Sequence, residues 1–266
     1  MEEPPPVLDS KPEAPQPHAI SLAARLLNVF AIPGEVFAGV KASRISIWNW
    51  LVPAFLLATV GVFTAIVVVS QPVFQRQVQE LTEKKAKALD QEVKGGKVKQ
   101  QDVDNALAVF RAITRPASLK SLCSVAAGLI GFARVFWWAF VLWLLSRAFL
   151  KVRFGYSKAL EIAGLGLMIN VLAAVVMLLL MVNLPKLFTT PNMALAISDF
   201  DATRQSTLLL GAANVFSFWL LVVLAVGLAK LAGVPFLRAA WLVFAAWAVQ
   251  QTLFLLVGGM LLQFIG

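Results

Sequence analysis

The amino-acid sequence predicts an all-α membrane protein: five transmembrane helices, N-terminal interfacial helices and an extramembrane helical hairpin after the first span. Five long apolar runs, near residues 47–70, 121–147, 159–183, 207–231 and 237–265, carry this reading. Each reaches the ~20 residues that cross a bilayer's ~30 Å hydrocarbon core. Composition points the same way, with 59% hydrophobic and 14% charged residues against roughly 45–50% and 25% in soluble domains. Backbone amides within lipid must pair inside their own segment, so such runs are helices rather than strands.

Taken in order, residues 1–19 form an acidic, proline-rich tail (Pro4, Pro5, Pro6, Pro12, Pro15 and Pro17), expected to be disordered and unlike a signal peptide. Residues 20–266 read as one membrane domain. Ile20, Ala23, Leu26, Leu27 and Phe30 recur at helical spacing with Ser21 placed to cap. A second short helix is predicted after Pro33, which suits a first helical turn, and Glu35 complements the positive end of the helix dipole. Both pieces are too short to span and are expected in the cytoplasmic interface, apolar face toward lipid. Trp48 and Trp50 then mark the headgroup level where the first span begins.

The connection 71–120 is too long for a structureless loop. Phe74, Val78, Leu81, Leu89 and Val93 form one apolar stripe, and Val103, Leu107, Phe110 and Ile113 another. Gly95-Gly96 lies between them, which predicts two helices with one apolar and one solvated side.

The net charge of +9 suits anionic headgroups better than nucleic acid, because the positives flank the spans. Arg147, Lys151, Arg153 and Lys158 follow span 2 with no acid before Glu161, whereas the segment after Gln263 carries no charged side chain. That asymmetry predicts a cytoplasmic N-terminus and an extracytoplasmic C-terminus. Cys123 is the single cysteine, so no disulfide forms within the chain.

Motifs for chemistry are missing. His18 is the sole histidine and lies in the tail, which removes a histidine-based nucleophile pair or metal site from the membrane. Glu161 is the one acid within the proposed spans, expected at the interface, so paired-carboxylate catalysis has no partners at depth. No catalytic residue, metal or cofactor is expected, and the chain reads as a non-enzyme. Polar residues inside the spans remain. Arg134 sits near the middle of span 2, where a charge costs from about 2.5 to over ~10 kcal/mol. At ~1.5 Å per residue, Asn170, Gln250, Gln251 and Asn214 reach roughly the same layer, ~17–25 Å from the cytoplasmic ends of their helices. Trp137 and Trp138 follow Arg134 at i+3 and i+4 and are candidate cation–π partners. This midplane layer is open to two readings, interhelical glue or a polar pathway or ligand pocket. Gly128, Gly131, Gly164, Gly166, Gly258 and Gly259 permit close helix approach.

Three stretches resemble the Yip1-domain family of five-span membrane proteins. Leu26 to Phe37 is similar to the family's opening P-x-x-x-F helix, with Pro33, Glu35 and Phe37 in the motif. Phe154 to Glu161 looks like the short cytoplasmic turn into span 3. Asn214-Val215-Phe216-Ser217-Phe218-Trp219, with Gly227-Leu228-Ala229, resembles the fourth span of bacterial members, Asn214 standing where an acid is more familiar. Span 3 lacks the proline often found there. The resemblance implies a five-span fold with a cytoplasmic N-terminus in a bacterial inner membrane. It further implies a scaffold or adaptor in membrane organisation, with protein partners or self-association in the lipid bilayer. The alternative is a small channel, transporter or lipid-handling protein that uses the midplane layer.

Overall fold

A computed structural model describes residues 20–96, 98–183 and 214–265, with side chains described except at 182–183 and 258–265. Among the described residues there are ten helices: α1 (Leu22–Asn28), α2 (Pro33–Ala42), α3 (Trp48–Ser70), α4 (Pro72–Lys94), α5 (Gln100–Thr114), α6 (Pro116–Ala148), α7 (Tyr156–Gly166), α8 (Met168–Asn183), α9 (Val215–Ala232) and α10 (Phe236–Ile265). Five segments are long and apolar enough to cross a membrane: α3, α6, α7 with α8, α9 and α10. The chain is thus an all-α, multi-pass membrane protein. The tail 1–19 and the stretch 207–213 expected in span 4 lie outside the described residues.

The third span is the axis of the bundle. Every residue from Ala159 to Gly166 is buried, with α3, α6 and α9 around it. It holds this central place because its glycines admit a neighbouring backbone at Gly164 and a neighbouring side chain at Gly166. A Cβ added at Gly164 would run into the Cα of Trp50, and one at Gly166 would lie 2.8 Å from Leu224. Between α7 and α8 the helix is interrupted at Leu167 (φ −68°, ψ −5°), although no proline stands there. The largest contact is α3 against α6, where Ala58 meets Gly131; a Cβ at Gly131 would stand 2.9 Å from the Ala58 backbone. Small residues let these two helices close up, and van der Waals contact is the main force between helices in lipid.

The hairpin is joined to its spans by two X-Pro breaks. Gln71 (ψ 133°) before Pro72 and Arg115 (ψ 139°) before Pro116 are both extended, as proline requires of its predecessor, and each proline starts the next helix. Helix α4 ends at Gly95, and Gly96 takes a positive φ of 71°. The two legs are in contact; Val103 is buried, Val78, Leu89, Leu107 and Phe110 are half-buried, and Lys85 lies over the Phe110 ring at 5.7 Å. Leu81 and Ile113 point outward instead, 59% and 48% exposed, because they fall off the helical period set by the others.

The two N-terminal helices correct one expectation. Ser21 caps α1 by accepting from Ala24 N (3.3 Å), and Pro33 and Glu35 occupy the first turn of α2. Yet the apolar face of α2 does not lie against lipid. Val36, Phe37 and Val40 are buried in the protein, packed on α7 and α9. Phe37 fits because residue 227 is glycine: a Cβ there would collide with Ile162 and stand 3.3 Å from the Phe37 ring. At the turn from α9 to α10, Gly233 (φ 69°, ψ 33°) returns its N–H to Ala229 O at 2.9 Å, and Pro235 follows. Helix α10 packs along α9 and meets α6 only sparsely, so most of its surface faces outward.

Candidate functional site

Two polar constellations lie in this apolar bundle, one at the end covered by α1 and α2 and one deeper, around Arg134.

At the first, the carboxylate of Glu161 is fully buried. One oxygen, Oε1, accepts from Ser46 N at 2.8 Å and Asn49 Nδ2 at 2.7 Å. The other, Oε2, forms an ion pair with Lys158 Nζ at 2.8 Å and has no further partner among the described residues. Lys158 Nζ also donates to the carbonyls of Val40 (2.7 Å) and Ser43 (2.8 Å), which close α2. Asn49, itself buried, accepts a long hydrogen bond from Arg25 of α1 (3.4 Å) through Oδ1. One acid therefore ties α1, α2, the turn into α3, and α3 itself to α7. Lys41 adds a bond from the other side, donating to Lys230 O of α9 at 3.0 Å. The charge is paired and Oε1 is doubly hydrogen-bonded, as burial of ions demands, while Oε2 relies on Lys158 alone among the described residues.

The sequence places Glu161 at the interface and not as the partner of Arg134. Its partners are indeed Ser46, Asn49 and Lys158, and its carboxylate is sealed by protein. The signals that could have found it are its being the one acid in the spans, Lys158 three residues before it on the same helix face, and Asn49 at the head of the first span.

The second constellation is a cavity of about 340 Å³. Arg134, Asn170, Asn214, Gln250 and Gln251 all line it, with Ser217, Trp138 and Trp247 among the further walls. Four spans thus bring the five polar residues singled out in the sequence to one place. Asn214 is not inside a helix as expected from a span starting at 207. It is the N-cap of α9, its Oδ1 accepting from Phe216 N at 2.8 Å.

The expected partners of Arg134 are not there. Among the described residues its guanidinium makes no ion pair or hydrogen bond and lies over neither Trp137 nor Trp138. Trp138 is buried against the core, and Trp137 turns toward α10, donating Nε1 to Gln250 Oε1 at 2.6 Å. The physical reason is direction. Helical side chains lean toward the helix N-terminus, so Arg134 leans away from tryptophans that follow it. Arg147 obeys the same rule from the other side and lies 4.2 Å from the ring centre of Trp143, one turn before it.

Of the residues in the family-like N-terminal motif, Pro33 starts α2, Glu35 stands in its first turn and Phe37 is the buried anchor. The other two family-like stretches contribute Lys158 and Glu161 to the charged node, and Asn214 to the cavity together with Gly227 beneath Phe37. No curated protein and no solved structure matched the chain. A family model did match, that of the Yip1 domain, over residues 27–258. That span runs from within α1 to within α10 and contains both constellations but for Arg25, so the chain belongs to the Yip1-domain family.

Proposed function

We propose that this Yip1-domain protein is a non-enzymatic scaffold or adaptor of a bacterial inner membrane. On this reading the end bearing α1 and α2 faces the cytoplasm and presents a fixed surface to protein partners or to a second copy. The observation that supports it is the Glu161 node. A buried acid that fastens two short helices to the bundle costs desolvation, and a rigid platform is what such an investment gives. Apolar side chains remain outside at this end, with Leu27 68% and Ile45 62% exposed. They give a partner or the headgroup region something to hold.

The test is site-specific photo-cross-linking in native membranes from Leu27 and Ile45, compared with Leu81 on the hairpin. Defined protein adducts at Leu27 that disappear in Glu161→Ala are expected. Adducts to lipid alone at every position would overturn the scaffold reading.

The cavity around Arg134 supports a second reading, in which the protein handles a lipid or small solute. Its volume falls in the range of ~300–1,000 Å³ usual for ligand pockets.

A further inference from the structure

We infer that the Arg134 cavity is a binding site for a phosphate oxyanion, delivered as the headgroup of an anionic phospholipid through the seam between α6 and α10. The inference rests on the second reading above and names the ligand for it.

The argument is one of donors and acceptors. Asn214 and Gln250 each spend their amide oxygen on a neighbour: Asn214 Oδ1 on Phe216 N, Gln250 Oε1 on Trp137 Nε1. These bonds fix which way both amides face, because an oxygen must meet each N–H. Their NH₂ groups are what remains for the cavity. Arg134 adds a guanidinium with donors and no acceptor. Among the described residues lining the cavity there is no carboxylate to answer it. Asn170, Gln251 and Ser217 in the same wall can donate or accept, so the site offers donors throughout and lacks one negative charge. Phosphate supplies that charge on acceptor oxygens, and arginine binds it through two parallel hydrogen bonds.

Entry is the second part. Helix α10 touches α6 sparsely, and the bond that bridges them beside the cavity is Trp137 to Gln250, from a tryptophan 46% exposed. Around it the outer faces are apolar, with Phe136 41%, Val249 60% and Phe254 64% exposed, surfaces suited to acyl chains. A headgroup that enters here leaves its tails along the apolar faces of α6 and α10.

The experiment is native mass spectrometry of the full chain released from nanodiscs of phosphatidylcholine with or without phosphatidylglycerol. Wild type, Arg134→Gln, Arg134→Lys and Asn170→Trp are compared, the last to fill the cavity. Retained phosphatidylglycerol is expected on wild type, reduced at least tenfold in Arg134→Gln and Asn170→Trp and partly kept in Arg134→Lys. Added glycerol phosphate at millimolar concentration should not displace it; displacement would make free phosphate the source and overturn the lipid assignment. Equal retention of the two lipids, with loss only in Asn170→Trp, overturns the anion while leaving a ligand cavity. Retention unchanged in every variant overturns the cavity reading as well.

Discussion

Burial turns Glu161 from an ordinary carboxylate into a structural part, since every favourable contact it makes comes from protein rather than water. Removing it leaves Lys158 beside two carbonyls and strands Asn49 Nδ2 and Ser46 N. Breaking a buried pair from one side costs about 3–5 kcal/mol, so Glu161→Ala should lower unfolding stability in detergent by that order. Glu161→Gln keeps the acceptor for Ser46 and Asn49 and should lose distinctly less. Denaturant titration of the three proteins checks the ranking, and equal stabilities would remove the node from the fold's foundations. Arg134 should behave in the opposite way. It has no partner among the described residues to strand, so Arg134→Leu should unfold no more easily than wild type, having shed a desolvated charge; a loss above about 2 kcal/mol in the same titration would show a hidden partner. Both residues were visible in the sequence as charges in apolar runs. Their surroundings were less so: helix register placed Arg134 near two tryptophans, while side-chain direction, which spacing does not carry, turned it away from them.

Helix boundaries and breaks followed local chemistry wherever proline or paired glycine wrote them, at Gln71-Pro72, Gly95-Gly96 and Arg115-Pro116. The interruption at Leu167 carried no such mark. It sits in a helix packed on all sides, where contacts with α3 and α9 shape the backbone, and no single residue type announces that. The same dependence on neighbours separates glycines that look alike in sequence. A Cβ at Gly128 would find Val62 Cγ2 at 3.7 Å, ordinary contact, whereas one at Gly164 would strike the Trp50 backbone. Gly128→Ala should therefore be neutral or stabilise, since alanine outranks glycine in a helix by ~1 kcal/mol. Gly164→Ala should destabilise by at least about 1–3 kcal/mol through overpacking. Thermal unfolding of the two variants side by side tests this, and a reversed order would mean that α3 can move off α7 freely.

At the scale of the whole molecule, α2 was legible as a short amphipathic helix but not as a lid on the bundle, because hydrophobic period alone does not distinguish lipid from protein as the covering phase. Orientation rests on charge. The structure gathers Arg25, Lys41, Lys158 and Lys230 at one end, where their side chains or backbones meet one another or the Glu161 node. Arg44, Arg147, Lys151 and Arg153 belong to the same end by their place in the chain, before α3 and between α6 and α7. Such density of short-loop lysine and arginine favours the cytoplasmic side. The hairpin argues the other way, with ten Lys/Arg against six acids over 71–120. Its charge counts for less, since long segments translocate largely regardless of charge, and part of it is neutralised internally, as in the Asp90–Lys94 pair at 2.8 Å. If each candidate span crosses, the three after the 149–155 turn would put that turn and the far end of α10 on opposite sides. With Cys123 replaced by serine, a cysteine at Arg153 should resist an impermeant maleimide added to intact cells. One at Gln91 in the hairpin should react with it. Labelling at Arg153 with protection at Gln91 would invert the molecule, turning the α1–α2 platform away from the cytoplasm and the hairpin toward it.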